Sequence, residues 1–145
     1  MIKNSKKILI IGLDSMPDSE VFEKHKENLP NLRKMIENGI YGSLRSCDPP
    51  ITVPAWRVMM SSKSPGRLGV YGFRHRKNYS YTEGWYTTSL AFKEPMVWDI
   101  LEKHGKKACL VGVPPSYPPF KINGNLISCF ITPKDKTSGF TYPQE

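Results

Sequence analysis

Ile8-Leu9-Ile10-Ile11-Gly12-Leu13-Asp14 is the stretch on which the fold turns. Its apolar residues run continuously instead of alternating with polar ones. A strand with one wet face alternates, whereas a strand covered on both faces does not. The run therefore predicts a buried strand of a mainly parallel sheet, with Asp14 at its C-terminal end. The preceding Met1-Ile2-Lys3-Asn4-Ser5-Lys6-Lys7 looks like the charged start of a secretion signal. However, Gly12 and Asp14 cut the apolar run short of the ~7–15 residues of a signal core, and no small-residue cleavage site follows. The expectation is a mature, cytoplasmic start. No apolar run approaches the ~20 residues that cross a bilayer, so no membrane partner is expected.

Outward from this strand, helix and strand signals alternate. Pro30-Asn31-Leu32-Arg33-Lys34-Met35-Ile36-Glu37-Asn38-Gly39 predicts a helix with Leu32, Met35 and Ile36 on one face and Gly39 as its terminator. A short strand is predicted at 40–45. After the prolines at 49 and 50, residues 55–60 read as a helix, with Thr52 near its N-cap and Pro54 in its first turn. Residues 61–73 read as a loop with glycines at 66, 69 and 72, and residues 74–85 as a basic, aromatic loop or hairpin. Pro95 opens a helix through His104, closed by Gly105. Residues 107–113 and 126–131 read as further core strands, joined through a rigid Pro114–Pro119 loop region. Such alternation specifies an α/β fold with helices flanking the sheet, and in these folds ligands bind at the carboxyl ends of strands.

The chain has 145 residues, enough for one domain. Its 39% hydrophobic and 11% aromatic content argues against disorder. Lys and Arg outnumber Asp and Glu by 21 to 13, a net charge of +8, which favours anionic partners without naming one. The cysteines, Cys47, Cys109 and Cys129, are odd in number and form no Cys-x-x-Cys pair. A disulfide framework and a zinc knuckle are both disfavoured. Cys109 and Cys129 read as small core residues, and Cys47 as a loop residue.

Asp14, at a strand end, can bind a metal ion. The plainer role is a cap or loop anchor. Thr52, at a helix start, can act as a nucleophile on phosphate held by free helix amides. Its hydroxyl is weak and needs a base or metal to activate it; the plainer role is an N-cap. Lys63, Arg67, Arg74, His75, Arg76 and Lys77, followed by Tyr79, Tyr81, Trp85 and Tyr86, can hold an anionic substrate or stack bases, or can be a solvated loop. The three histidines show no metal-ligand spacing, and the dinucleotide, Walker A, Gly-x-Ser-x-Gly and His-Glu-x-x-His motifs are absent.

Taken together, these segments resemble the alkaline phosphatase superfamily, and within it the type I phosphodiesterase/nucleotide pyrophosphatase branch. Residues 8–14 resemble that family's first strand and first metal-binding aspartate. Leu29-Pro30-Asn31-Leu32 is similar to the opening of its first helix, and Pro49-Pro50-Ile51-Thr52-Val53-Pro54-Ala55-Trp56 to its nucleophile segment. Ser64-Pro65-Gly66-Arg67-Leu68-Gly69-Val70 resembles the turn beyond it; Val113-Pro114-Pro115-Ser116-Tyr117-Pro118-Pro119 and Phe140-Thr141-Tyr142-Pro143 match later segments. The resemblance implies two-metal phosphoester hydrolysis of a small-molecule substrate. Thr52 is then the nucleophile and a metal ligand, and Asp14 a metal ligand; Arg67 and Arg74, from the basic stretch, are the expected substrate contacts. The implied cofactors are two divalent ions, zinc or else manganese.

There are departures. Leu68 stands where the family's turn has His, and Phe73 where pyrophosphatases place a phosphate-contacting Asn. The later ligand motifs, Asp-x-x-x-His and Asp-His-Gly, do not occur in residues 15–145. The expectation is therefore an incomplete alkaline-phosphatase-like core, with residues 1–145 as the N-terminal portion of one catalytic domain. An uncovered strand and self-association, or pairing with a missing C-terminal segment, should follow. The alternatives are a phosphotransferase or phosphomutase of the same superfamily, or a non-catalytic basic module that binds nucleic acid or another polyanion. Thr52 disfavours a sulfatase, which needs a processed Cys or Ser.

Overall fold

Prolines, glycines and a few side-chain caps set the element boundaries in the computed structural model, which describes residues 6–144. The chain divides into two units, Met1–Arg45 and Ser46–Glu145, and each is described by itself.

In the first unit, one π-helical turn (Glu20–Lys24) and one 3-10 turn (Lys26–Asn28) lead into helix α1 (Pro30–Asn38). Proline suits the first helical position because its missing N–H would be unpaired there anyway. Gly39 follows in an extended conformation, not the left-handed one expected of a helix terminator. Surface contacts hold the unit. Arg33 Nη1 meets Glu27 Oε2 at 2.6 Å, the Phe22 and Tyr41 rings lie 4.9 Å apart, and the Ser43 hydroxyl donates to Asp18 Oδ2. None of the described residues here is buried.

The strands predicted at 8–13 and 40–45 do not form. Neither stretch joins a ladder, and Ile8 is 87% and Leu44 93% exposed. Apolar character favours burial, but a strand exists only when a second backbone pairs with its N–H and C=O groups. No described residue of this unit does so, and Asp14 consequently lies in a turn, beside Ser15 at φ +58°, and not at a strand end.

The second unit begins with helix α2 (Thr52–Ser61) and a short helix α3 (Pro65–Leu68) inside the stretch read as loop. The Ser64 hydroxyl caps α3 by accepting the Arg67 N–H at 3.3 Å, and Gly69 ends it in the left-handed region. The stretch read as a loop or hairpin is a hairpin, β1 (Arg74–Arg76) antiparallel to β2 (Gly84–Tyr86). A 3-10 turn (Ser89–Ala91) precedes helix α4 (Val97–Lys103), whose Met96 N–H donates to Asp99 Oδ2 at 2.7 Å.

Strands β3 (Ala108–Val111), β4 (Gly124–Ile127) and β5 (Thr141–Tyr142) form a sheet in that order. β3 and β4 are parallel, with Leu110 opposite Leu126; β4 and β5 are antiparallel, with Leu126 opposite Tyr142. Among the described residues one of three ladders is parallel, so the fold is mixed α/β and a mainly parallel sheet is not seen. Gly124 permits the β3–β4 approach: at φ +144°, a Cβ there would lie 1.8 Å from the Ala108 carbonyl oxygen.

The core gathers Met60, Leu68, Met96, Trp98, Leu110, Ile122 and Leu126 from α2, α3, α4 and the sheet, with Trp56, Phe92, Phe120 and Tyr142 packed against it. Each of β3 and β4 buries a single position in alternation, contrary to the two-sided burial expected. Cys109, read as a core residue, falls on the wet face and is exposed, whereas Cys129 is buried as expected. Val111 is 68% exposed on edge strand β3, which meets the expectation of an uncovered strand.

Candidate functional site

Thr52 is the first helical residue of α2, one position later than the N-cap expected for it; the cap is Ile51, which has no side-chain oxygen. Thr52 is half-buried between exposed Ile51 and fully buried Val53. Its hydroxyl makes no hydrogen bond to the helix start. Pro54 has no N–H, and the Ala55 N–H already donates to the Ile51 carbonyl at 2.9 Å. The unpaired amides of the first turn are therefore those of Thr52 and Val53. No acidic residue lies in that turn. A ten-residue helix thus presents its positive end and a free hydroxyl together, an arrangement suited to an anion.

Arg57 anchors this helix from within. It is 2% exposed, in the otherwise apolar run Ala55-Trp56-Arg57-Val58-Met59-Met60. Its guanidinium carbon lies 4.6 Å from the Phe92 ring centre, 5.3 Å from Trp98 and 5.8 Å from Phe120. Nη2 donates to the Pro115 carbonyl, tying α2 to the proline loop. Burial pushes the group down to about 10, partly offset by Cys129 and Asp99, and it stays a cation at neutral pH. Arg57 Nε and the neighbouring Ser116 hydroxyl are buried without partners. Sequence reasoning missed Arg57, although a lone cation inside an apolar helix was a visible signal.

Arg67 and Arg74 do not join Thr52 in either surface cavity. Arg67 pairs with Glu94 at 2.8 Å and lines a cleft of about 470 Å3 with Leu68, Gly69, Trp85 and Lys93. Arg74 stacks on Tyr86, 4.7 Å from its centre, in a second cleft of about 210 Å3 with Thr82, Gly84 and Trp85. The Cys47 thiol donates to the Pro49 carbonyl at 3.2 Å just before α2. Asp14 belongs to the other unit. Among the described residues, no group of three or more His, Cys, Asp or Glu could hold a metal ion. Asp14 and Thr52 alone supply one carboxylate and one hydroxyl, which falls short of a two-metal donor set.

The sequence model of the type I phosphodiesterase/nucleotide pyrophosphatase family matches residues 8–144. The chain belongs to that family. It is a branch of the alkaline phosphatase superfamily, and its members are hydrolases of phosphodiester and pyrophosphate bonds. No match was found among the curated proteins or among the solved structures. No helix among the described residues is long and apolar enough to cross a membrane.

Proposed function

We propose that this chain contributes to metal-dependent hydrolysis of a small-molecule phosphoester, with Thr52 as the nucleophile. The observation that carries this reading is the start of α2, where a half-buried hydroxyl without a capping bond sits beside two unpaired amides. Phosphate oxygens would accept from the Thr52 and Val53 N–H groups. Thr52 Oγ1 would attack phosphorus, forming a phosphoryl-threonine ester as the bond to the leaving alcohol breaks and the hydroxyl proton passes to that alcohol; water would then release phosphate from a monoester, or a phosphomonoester from a diester, and restore the hydroxyl. Arg57, by holding α2 to the Pro115 loop, would keep that geometry rigid.

A threonine hydroxyl requires activation, and no carboxylate or imidazole hydrogen-bonds to Thr52 among the described residues. Divalent ions, zinc or manganese, would supply that activation and offset charge on phosphorus. Asp14 is proposed as one ligand. The residues of this sequence do not complete the donor set, so no step is assigned to the ions. Because residues 15–145 lack the family's later ligand motifs, we propose residues 1–145 as the N-terminal portion of one catalytic domain.

The test is hydrolysis of an aryl phosphodiester or monoester in zinc or manganese, with the sequence encoded downstream of Glu145 supplied by extension or co-expression. Thr52→Ala should remove nearly all activity, and mass spectrometry of a quenched reaction should find phosphate on Thr52 in the wild type. Full activity in Thr52→Ala would exclude the covalent mechanism. Transfer to an added alcohol in preference to water would favour the phosphotransferase alternative.

A further inference from the structure

The hairpin formed by β1 and β2 borders two clefts, and Thr52 lines neither of them. We propose that the hairpin is a binding surface for single-stranded nucleic acid. Charge is the first reason. Between Lys63 and Lys93 the chain carries Lys63, Arg67, Arg74, Arg76, Lys77 and Lys93 against one carboxylate, Glu83. Glu83 faces Lys77 at 3.9 Å, and Arg67 is engaged by Glu94. Arg74 and Arg76 have no ion-pair partner among the described residues.

Geometry is the second reason. Arg74 and Arg76 are two positions apart on β1, so they share one face of the hairpin, about 6.6 Å apart along the strand. Each is stacked on a tyrosine: Arg74 lies 4.7 Å from the Tyr86 ring centre and Arg76 4.4 Å from Tyr81. Stacking fixes the plane of a guanidinium while leaving its edge N–H groups free for phosphate oxygens. Tyr86 is 62% and Tyr81 89% exposed, which leaves ring surface for a base. Opposite Arg76 the ladder carries Gly84, where a Cβ would lie 2.9 Å from the His75 carbonyl. Gly84 also lines a cleft of about 210 Å3 with Arg74, Thr82, Trp85 and Tyr86.

Exposed aromatic surface is the third reason, and it decides the class of ligand. Tyr79 is 93% and Tyr81 89% exposed. Asn78 and Tyr79, both at positive φ, turn the chain so that Tyr79 stands at the tip, with the Ser80 N–H closing on the Lys77 carbonyl at 2.9 Å. A sulfated or phosphate polymer needs the cations but gains nothing from these rings. A bilayer would call for Leu, Ile or Phe at the tip instead of tyrosine hydroxyls and arginines. Phosphate contacts interleaved with stacking faces are what single-stranded nucleic acid requires.

The experiment is fluorescence anisotropy of the full chain with labelled oligothymidylate and oligouridylate, titrated from low to physiological salt. Arg74→Gln with Arg76→Gln should weaken binding on the order of tenfold and flatten the log–log salt slope by about 0.7 per arginine. Tyr79→Ser with Tyr81→Ser should weaken binding on the order of tenfold and leave the slope unchanged. Arg74→Lys with Arg76→Lys keeps the charge but not the stack, and should preserve the slope while losing affinity. Lys134→Gln with Lys136→Gln, exposed and outside the hairpin, should match wild type. Near-ultraviolet circular dichroism verifies that each variant folds. Equal losses from the lysine control, equal competition by inorganic polyphosphate, or binding to phosphatidylserine vesicles without oligonucleotide binding would each overturn the proposal. None of these outcomes bears on Thr52.

Discussion

The unit Met1–Arg45 carries an unbroken aliphatic run at residues 8–11 and buries none of it. The unit Ser46–Glu145 is interrupted by prolines and cations and still closes a core around Leu126, which is 1% exposed. Hydrophobic content does not separate them; backbone partners do. Leu110, Leu126 and Tyr142 are buried or half-buried because their three strands satisfy one another's amides while side chains from α2 and α4 close one face. The run at 8–13 has the same kind of residues but no ladder. Burying it would strand its amides, at a cost above the gain from its side chains.

Hydrogen exchange measures this contrast with the largest expected effect. Amides of β3 and β4 should be protected about a thousandfold or more relative to those of residues 8–13, since core elements open only with global unfolding and unpaired segments exchange freely. Comparable protection in both stretches would break the comparison and indicate that residues 8–13 pair in solution. Truncation comes next. Leu126→Ala should cost about 3 kcal/mol, because it empties a fully packed position. Ile10→Ala, which changes an exposed side chain, should stay within about 0.5 kcal/mol. Urea denaturation of both variants checks the pair, and equal losses would contradict the assignment of the core.

Arg57 sharpens the comparison further, because the second unit buries a cation whereas none of the described residues of the first unit is buried. Arg57→Ala should destabilise by about 2–3 kcal/mol, through the cavity and the lost link to Pro115. Arg57→Met fills the space between Phe92, Trp98 and Phe120 without a buried charge and should cost about 1 kcal/mol or less. If Arg57→Met unfolds the chain, the guanidinium is holding the core by its charge and not by its volume.

These cases also explain what the sequence could and could not reveal. Helix α1 and strand β3 were legible because their signals are local, Pro30 at a helix start and a short apolar run, whereas β4 lies at Gly124–Ile127 and shares only Leu126 and Ile127 with the strand read at 126–131. The strand at 8–13 was misread because apolarity says nothing about whether a partner backbone is at hand. Cys109 was misplaced for a related reason: a continuous apolar run hides which alternate residue faces water. The burial of Arg57 was illegible because its rings come from Phe92, Trp98 and Phe120, distant in the chain. Thr52 was located to within one residue, and its segment pointed to the family.

The smallest effect concerns the side-chain hydrogen bond between Ser43 and Asp18 in the first unit. The Ser43 hydroxyl, reinforced by the Ser19 N–H, holds the Asp18 carboxyl below its ordinary value of 3.8. The direction fixes the sign of the linkage. A carboxyl with a depressed folded pKa stabilises the fold above its unfolded pKa, and that contribution fades as pH falls through the folded value. Asp18 is fully exposed, so solvent screens the interaction and the effect on stability is slight. Its measure is therefore the titration itself, followed by NMR at the Asp18 carboxyl carbon. The wild type should titrate below the ordinary value. Ser43→Ala should move the midpoint back towards it, leaving only the part due to the Ser19 N–H, while the β3–β4 amides keep their exchange protection. If the wild-type carboxyl titrates at the ordinary value, Ser43 and Asp18 do not meet in solution. The described residues of the first unit would then be held by neighbours along the chain and by the Phe22–Tyr41 contact, and the difference between the two units would widen.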